Sequence, residues 1–297
     1  MFRRLGRKGL VILNVLVLPG LLATSPLVAQ TPLPGLPSNP NDLLRQVIAR
    51  EVKSVEGDGY FMWLDRYNSR HGLVTKRFVT TPQGILGRIV SFSDKPLTAE
   101  ARQSEEARID SMKDPAQMRA KGQKQQAERD RWNNLMRTLP DAFLCHYGGT
   151  ETSPNGHSIV VLSFEPNPNW SAKSMEQRPL AGMKGKIKID ATALRITRID
   201  ATSFKEVSLG WGLLGRVLPG GIIHLEQAEV LPGHWDSTYL KVHIDVRVLF
   251  IKTITLDEEG IQWDYHRVPA MNIADALDRM RKTDGNSAPV PPGFHHP

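Results

Sequence analysis

The chain is poor in the residues that build cross-links and metal clusters. Its 297 residues include one cysteine, Cys145, which excludes a disulfide scaffold and any cysteine-based zinc or iron–sulfur site. The net charge of +7 also overstates how basic most of the chain is, because four basic residues lie together at the N-terminus: Arg3, Arg4, Arg7 and Lys8. The surplus that remains is too small to indicate a nucleic acid or another polyanion as a partner.

The N-terminal segment lacks the length of a membrane-spanning helix. Its uncharged apolar run from Gly9 to Pro19 is about half of the roughly 20 residues that such a helix needs. Basic residues, an apolar run and then small and polar residues are the layout of a secretory signal peptide. We place a Sec-type signal at residues 1–29 with cleavage near Ala29. No cysteine follows the run, so we expect a periplasmic or secreted protein with neither a lipid anchor nor a transmembrane segment in the mature chain.

The first half of the mature chain predicts a helix, three strands and a helical insertion. After a Pro-rich linker at 30–40, apolar residues recur at helical spacing between residues 41 and 53, with Asn39 or Asn41 as the cap. Apolar and polar residues then alternate over 60–67, 73–81 and 85–93, which predicts strands. Residues 98–139 are highly charged and have no strand period. They predict a helical insertion with a break at Asp114-Pro115, where the aspartate caps the second helix and the proline opens it.

The second half of the chain consists of predicted strands. The Asn-Gly pair of Ser153-Pro-Asn-Gly156 favours a type I′ hairpin. The longest strand, 238–250, places Leu240, Val242, Ile244, Val246 and Val248 on one face and charged residues on the other, which requires a dry and a wet face. Residues 261–265 predict a last strand, preceded by a turn that contains Glu258-Glu259. A short helix from Asn272 to Arg281 ends the domain.

These elements predict an α+β fold with one domain at 41–282 and a disordered tail at 283–297. The fold is a large curved antiparallel sheet, a half-barrel, whose concave face is covered by the N-terminal helix and the 98–139 insertion. The apolar stripes of these helices are narrow. If they do not fill the concavity, a cavity remains that suits an acyl chain. We expect this ligand to contact the following residues: Ile187, Ile189, Trp211, Leu213, Leu240, Val242, Ile244, Val246 and Val248.

No pattern of catalytic or metal-ligating residues emerges. Gly210-Trp-Gly-Leu-Leu-Gly215 matches a dinucleotide fingerprint, but Arg216-Val-Leu-Pro-Gly-Gly221 follows it and no helix can begin there. Adjacent Cys145 and His146 point to opposite faces of a strand, and we expect the cysteine to be buried. His243 shares a face with Asp245, but Lys241 and Arg247 lie there too, which indicates a solvated face. We therefore expect no enzyme and no cofactor, with a hydrolase that uses His224 or His243 as a minor alternative.

Several segments are similar to known envelope proteins. Met183-Lys-Gly-Lys-Ile-Lys-Ile-Asp190 with Leu194-Arg-Ile-Thr-Arg-Ile199 resembles the strand–turn–strand unit of the LolA/LppX/RseB-type fold. Four further blocks look like an uncharacterised group of secreted bacterial proteins of the same fold, over about residues 41–267: 139–143, 166–169, 210–215 and 225–230. The resemblance implies a half-barrel that receives lipid, lipoprotein acyl chains or an envelope peptide. The absent lipoprotein cysteine and the charged insertion depart from the family.

The sequence therefore predicts a periplasmic carrier or envelope sensor that binds a lipid or an acylated protein by burial. An envelope protein could be a further partner. The alternative is a structural or protein-interaction module with a filled core, whose partner docks on the charged helices or on a sheet edge.

Overall fold

The computed structural model describes residues 35–54, 59–209, 215–248, 252–283 and 289–291. The predicted signal peptide, the part of the Pro-rich linker up to residue 34, the segment with Trp211 and Leu213, and most of the predicted tail lie outside these residues. The described helices are α1 (Pro40–Ser54), α2 (Ala99–Ser111), α3 (Pro115–Ala142) and α4 (Ile273–Thr283), with a short 3₁₀ helix at Arg178–Gly182. None of the described helices is both long enough and apolar enough to cross a membrane.

Thirteen described strands form one antiparallel sheet that does not close into a barrel. The first eight are β1 (Tyr60–Ser69), β2 (Gly72–Thr81), β3 (Gly84–Phe92), β4 (Lys95–Pro96), β5 (Phe143–Thr152), β6 (Ser158–Pro166), β7 (Met183–Asp190) and β8 (Arg195–Ser203). The remaining five are β9 (Val207–Leu209), β10 (Gly215–Val217), β11 (Ile222–Leu231), β12 (His234–Val248) and β13 (Lys252–Val268). The predicted α+β class with a large antiparallel sheet is confirmed.

The order of the strands explains where the helical insertion must run. The sheet reads β4-β3-β2-β1-β13-β12-β11-β8-β7-β6-β5, with β9 and β10 beside β12. The chain leaves the sheet at one edge, β4, and returns at the opposite edge, β5. At about 1.5 Å per residue, the 28 residues of α3 span roughly 42 Å. One helix is therefore long enough to cross most of the sheet.

The structure has two apolar clusters, one on each face of the sheet. On the first face, α1 and the C-terminal part of α3 cover strands β5 to β8, with Leu44, Ile48, Leu162 and Ile189 at the centre. The second cluster joins Met62, Val79 and Leu86 of β1 to β3 with α2, α4 and the start of α3. Met62 and Trp63 point to opposite sides because successive strand side chains alternate. The second cluster is therefore on the face opposite to Trp63.

The helical insertion divides between the two faces of the sheet, which refines the expectation that it covers the concave face. Ile109 and Met112 of α2 and Met118 of α3 are buried in the second cluster, because that face offers an apolar patch that matches their narrow stripe. The second half of α3 lies on the first face. The break at Asp114-Pro115 is confirmed: Asp114 caps α3 by accepting a hydrogen bond from the Ala116 amide at 2.8 Å.

Two local predictions are wrong. Glu258-Glu259 is not a turn but lies inside β13, paired with Val242 and Lys241 of β12. The strand signal is weak there because three consecutive acidic residues, Asp257 to Glu259, interrupt the alternation of Thr253-Ile-Thr-Leu256. The hairpin at Ser153–Gly156 is not type I′. The Gly156 amide donates to the Ser153 carbonyl at 2.9 Å, which places Pro154 at the second turn position, where its fixed φ favours type I.

Candidate functional site

A cavity of about 1270 Å³ lies between the first face of the sheet and α3. Its floor is formed by side chains of β1, β13, β12, β11 and β8. The first apolar cluster closes one end of it, and the cavity is partly open to solvent. The helices therefore do not fill the space over the central strands, a question that the narrow apolar stripes of the sequence leave open.

One part of the floor is aliphatic. Strand alternation directs Ile223 and Leu225 of β11, and Leu240 and Val242 of β12, to the same side as Ile199 of β8. All five residues line the cavity, with Ile187, Ile196 and Ala201 at its closed end. This surface offers no hydrogen-bonding side chain and suits a hydrocarbon.

Only some of the residues that the sequence predicts to contact a ligand line the cavity. Ile187, Leu240 and Val242 line the cavity. Ile189 is buried in the first apolar cluster behind it. Ile244, Val246 and Val248 continue the same face of β12, but they lie outside the cavity lining, where β12 pairs with Leu256, Ile254 and Lys252 of β13. Trp211 and Leu213 lie outside the described residues.

The second half of α3 forms the cover of the cavity. Leu135, Met136 and Leu139 turn toward the sheet, while Trp132 lines the cavity but remains 54% exposed. The side chain of Gln125 fixes the helix to the sheet. Its Oε1 accepts a hydrogen bond from the Ile85 amide, and its Nε2 donates to the Ile85 carbonyl, both at 3.0 Å.

The part of the floor formed by β1 and β13 is aromatic and polar. Phe61, Trp63, Asp65 and Tyr67 alternate along β1 on the cavity side, and Asp65 pairs in register with Gln262 of β13. The Gln262 amide donates to Asp65 Oδ2 at 3.4 Å and accepts from the Tyr265 hydroxyl at 2.7 Å. Burial is the main reason that the pKa of Asp65 is raised to about 6; the Gln262 hydrogen bond and the charge of Lys76 oppose the rise, and the negative charge of Asp236 makes a smaller contribution to it.

Asp236 of β12 is a second acid of the cavity, and 37% of its side chain is exposed. It accepts a hydrogen bond from the Ser237 amide at 2.7 Å, and its pKa is raised by burial. The pKa of Tyr265 is raised by burial first and then by the charges of Asp236 and Asp65. The two carboxyl groups and this phenol therefore form one electrostatically linked polar wall.

A third acid, Glu51 near the end of α1, is paired with a cation. Its carboxylate lies 3.0 Å from the Arg195 guanidinium and also accepts a hydrogen bond from the Ile196 amide at 2.8 Å. Burial raises the pKa of Glu51, and Arg195 opposes that rise. The pair fixes the end of α1 to β8 at the rim of the cavity.

The residues considered for catalysis lie away from the cavity. His224 binds Asp200 at 2.6 Å and Glu226 at 3.0 Å, on the face of β11 opposite to Ile223 and Leu225. His243 lies 3.3 Å from the exposed Asp257. Cys145 is buried, as predicted, and burial raises its pKa to about 11. Within the described residues, no group of three or more His, Cys, Asp or Glu side chains is placed to hold a metal ion.

Sequence reasoning missed the polar wall. The alternation of Phe61, Trp63, Asp65 and Tyr67 was visible, but it did not show that this side faces a cavity. The partner strand β13 is about 200 residues further along the chain, and no local pattern signals that pairing.

Similar solved structures include the following two. A DUF1329 family protein from Desulfovibrio piger is 10% identical, with 80% of this chain and 97% of that chain covered and a TM-score of 0.30. A domain assigned to outer membrane lipoprotein sorting from Vibrio parahaemolyticus is 10% identical, with 79% and 97% covered and a TM-score of 0.26. Similarity of this size carries no argument about the ligand. No family model and no curated protein matches the chain.

Proposed function

We propose that this chain binds a hydrophobic ligand, a lipid or the acyl chain of a lipoprotein, in the cavity between the sheet and α3. Binding is by burial without covalent chemistry. The observation that carries the proposal is the cavity itself: about 1270 Å³ exceeds the roughly 300–1,000 Å³ of common small-molecule pockets, and its lining is mainly apolar.

The energetics of burial are sufficient for such a ligand. Each buried methylene contributes about 0.8 kcal/mol, so an acyl chain of about 15 carbons contributes on the order of 12 kcal/mol before the costs of association. The aliphatic floor formed by residues such as Ile223, Leu225 and Leu240 supplies the contact surface. A solid core of the kind required by the alternative interaction module would leave no such space.

The proposal also includes the cellular location of the protein. A signal of the kind expected at residues 1–29 would export the chain to the periplasm or beyond, where it would act as a carrier or an envelope sensor. Fractionation of cells that express the full chain tests this part. The proposal predicts a processed protein in the periplasmic or extracellular fraction, and an unprocessed cytoplasmic protein would contradict it.

The ligand-binding proposal is tested with the delipidated full chain and the apolar fluorescent probe N-phenyl-1-naphthylamine. We expect saturable binding, which Leu240→Trp weakens about tenfold or more because the larger side chain occupies the floor, a loss of about 1.4 kcal/mol or more. The matched control is Lys241→Trp, one residue along β12 and directed to the other face. Equal effects of the two substitutions, or no saturable binding, would refute the proposal.

A further inference from the structure

The cavity floor has two chemically distinct parts. Aliphatic side chains of β8, β11 and β12 form one part, and the alternating residues Phe61, Trp63, Asp65 and Tyr67 of β1, with Gln262 of β13, form the other. An aliphatic wall requires nothing from a ligand except apolar surface. A buried polar wall requires hydrogen-bonding partners, because an unpaired polar group in a low-dielectric site is costly.

Two atoms of the polar wall have no such partner among the described residues. They are the donor Nε1 of Trp63 and the acceptor Oδ1 of Asp65, both withdrawn from solvent. Trp63 and Asp65 are two positions apart on one strand and therefore share a face. Trp63 and Asp65 are therefore neighbouring residues of the cavity floor that carry one unpaired donor and one unpaired acceptor, and both atoms are covered in this conformation.

The Asp65 carboxyl group is able to turn toward a ligand. Its only described hydrogen bond to another side chain is the long one from Gln262, at 3.4 Å, and the terminal torsion of an aspartate is soft. Rotation about the Cβ–Cγ bond exchanges the two oxygens, so that a ligand donor on the cavity side reaches the carboxyl group while Gln262 keeps the other oxygen.

The charges around this position disfavour an anionic group. Of the described residues that line the cavity, the acids are Glu51, Asp65 and Asp236, and the basic residues are Arg129, Arg195 and His234. Lys76 of β2 pairs in register with Asp65 and offsets part of its charge, and His234 lies 3.8 Å from Asp236. Arg195 is paired with Glu51 at 3.0 Å, and Arg129 lies on the helix that covers the cavity. A phosphate or carboxylate beside Asp65 and Asp236 would experience repulsion and lose its hydration.

Building on the proposed function, we infer that Trp63 and Asp65 form a head-group subsite for an amphiphile whose neutral head both donates and accepts hydrogen bonds, a hydroxyl or a primary amide. The donor of the head binds the Asp65 carboxyl group, and its acceptor binds Trp63 Nε1 once the indole has turned that atom toward the cavity. The hydrocarbon chain then extends over the aliphatic floor toward Leu240 and Val242. A cation would satisfy Asp65 but leave Trp63 Nε1 unpaired.

The test compares ligands that share a 12-carbon chain and differ only in the head group. Dodecanol, dodecanamide, dodecyl methyl ether, dodecanoate and dodecylammonium are used below their aggregation concentrations to displace N-phenyl-1-naphthylamine from the delipidated full chain at pH 8. We expect the alcohol and the amide to bind roughly tenfold more tightly than the ether and the carboxylate, about the effect of one to two hydrogen bonds. Tighter binding of the carboxylate or the ammonium than of the alcohol would overturn the inference.

Two variants locate the effect. Asp65→Leu is expected to abolish the preference for dodecanol over its methyl ether, because the ether differs in lacking the donor. Trp63→Phe is expected to weaken both ligands, and it provides an independent measurement if Asp65→Leu does not fold. The control is Asp257→Leu, whose native side chain is 70% exposed. An unchanged preference in Asp65→Leu would overturn the inference.

The outcomes separate this inference from the proposed function. If all five compounds displace the probe equally, hydrophobic binding stands and the head-group subsite is refuted. If none displaces it, both fail.

Discussion

Asp65 is a carboxyl group held where ionisation is costly. Burial raises its pKa to about 6 from 3.8, with Asp236 of β12 raising it further and Lys76 of β2 lowering it. The folded protein therefore holds the proton more tightly than the unfolded chain does. Protonated Asp65 therefore makes its full contribution to the free energy of unfolding below about pH 4. This contribution is lost as the pH rises through about 6.

Asp65→Asn should remove that part of the pH dependence. Since asparagine does not ionise, we expect the variant to exceed the parent in the free energy of unfolding by up to about 3 kcal/mol at pH 8, and to differ little at pH 4. Urea denaturation at both pH values measures the difference. Asp257→Asn, at an exposed position, should change neither value, and an Asp65→Asn effect that is equal at both pH values would contradict this explanation.

Asn41 joins the beginning of α1 to the point where α3 becomes β5. Its Nδ2 donates to the Pro140 carbonyl at 2.7 Å and to the Phe143 carbonyl at 2.6 Å, while its Oδ1 accepts from the Cys145 amide at 3.0 Å. Asn39 rather than Asn41 caps the helix, through a hydrogen bond from the Asn41 amide to its side chain at 3.0 Å. The sequence left these two asparagines as alternatives, because the contact between Asn41 and β5 joins residues about 100 positions apart.

Asn41→Ala should therefore be costly. It leaves three partly buried backbone groups without this partner, and we expect a loss of about 2 kcal/mol or more in the free energy of unfolding. Chemical denaturation measures the loss, with Asn134→Ala on the exposed side of α3 as the control. If the two variants differ by less than about 0.5 kcal/mol in the free energy of unfolding, the hydrogen bonds of Asn41 do not stabilise the contact between α1 and β5.

Buried charged residues show why residue patterns predict apolar positions better than polar ones. Leu43, Val47 and Ile48 were predicted from helical spacing and are almost fully buried. Arg77 is only 1% exposed, yet nothing in β2 distinguishes it from a surface arginine. Its partner Asp264 lies on β13 at 3.4 Å. Burial of a charge depends on a counterion that the fold brings from a distant segment.

Among the elements, α3 has the most direct relation to the cavity. Its N-terminal part packs on the second apolar cluster, and its C-terminal part covers the cavity. It changes sides beside the β2–β3 turn, where Gly122 approaches the Gln83 carbonyl so closely that a Cβ there would lie at 3.0 Å. Gln125 fixes the helix to Ile85 at the same place.

Gln125→Ala should loosen this attachment without unfolding the protein. Loss of its two hydrogen bonds, about 1–2 kcal/mol, should accelerate local amide hydrogen exchange roughly tenfold at residues 83–87 and 120–128, because local opening becomes less costly. Hydrogen exchange with mass spectrometry measures this, and the exposed Gln123→Ala is the control. Unchanged exchange in Gln125→Ala would show that other contacts hold the helix at this point.

The strands show which elements could be predicted from the sequence. Strands β1 to β3 begin and end within about two residues of the predicted bounds, because Gly72 and Gly84 adopt positive φ at the turns between them and the flanking residues alternate. The predicted strand at 261–265 is only the last third of β13. Its first part contains the acidic run Asp257 to Glu259, which breaks the alternation, and it is a strand because β12 supplies a continuous pairing partner.

The whole molecule follows from an apolar sheet face that is wider than the helices available to cover it. The alternating strands predicted the antiparallel sheet, whereas the narrow stripes on 98–139 left open whether the helices fill the concavity. The division of α2 and α3 between two faces could not be predicted, because it depends on the pairing of β1 with β13. That pairing joins strands from the two ends of the chain into one sheet. The position of the cavity over β1, β13, β12, β11 and β8 depends on the same pairing.

The most direct test of the account is whether one hydrocarbon chain enters this cavity. Trp63, Trp132 and Trp235 line it, so a bound chain that carries bromine atoms would lie against three tryptophans and quench their fluorescence. Titration of the delipidated chain with a brominated 16-carbon alcohol should give quenching that saturates at one molecule per protein. Emission that remains constant, or that falls linearly without saturation, would contradict the central claim that the cavity is a binding site.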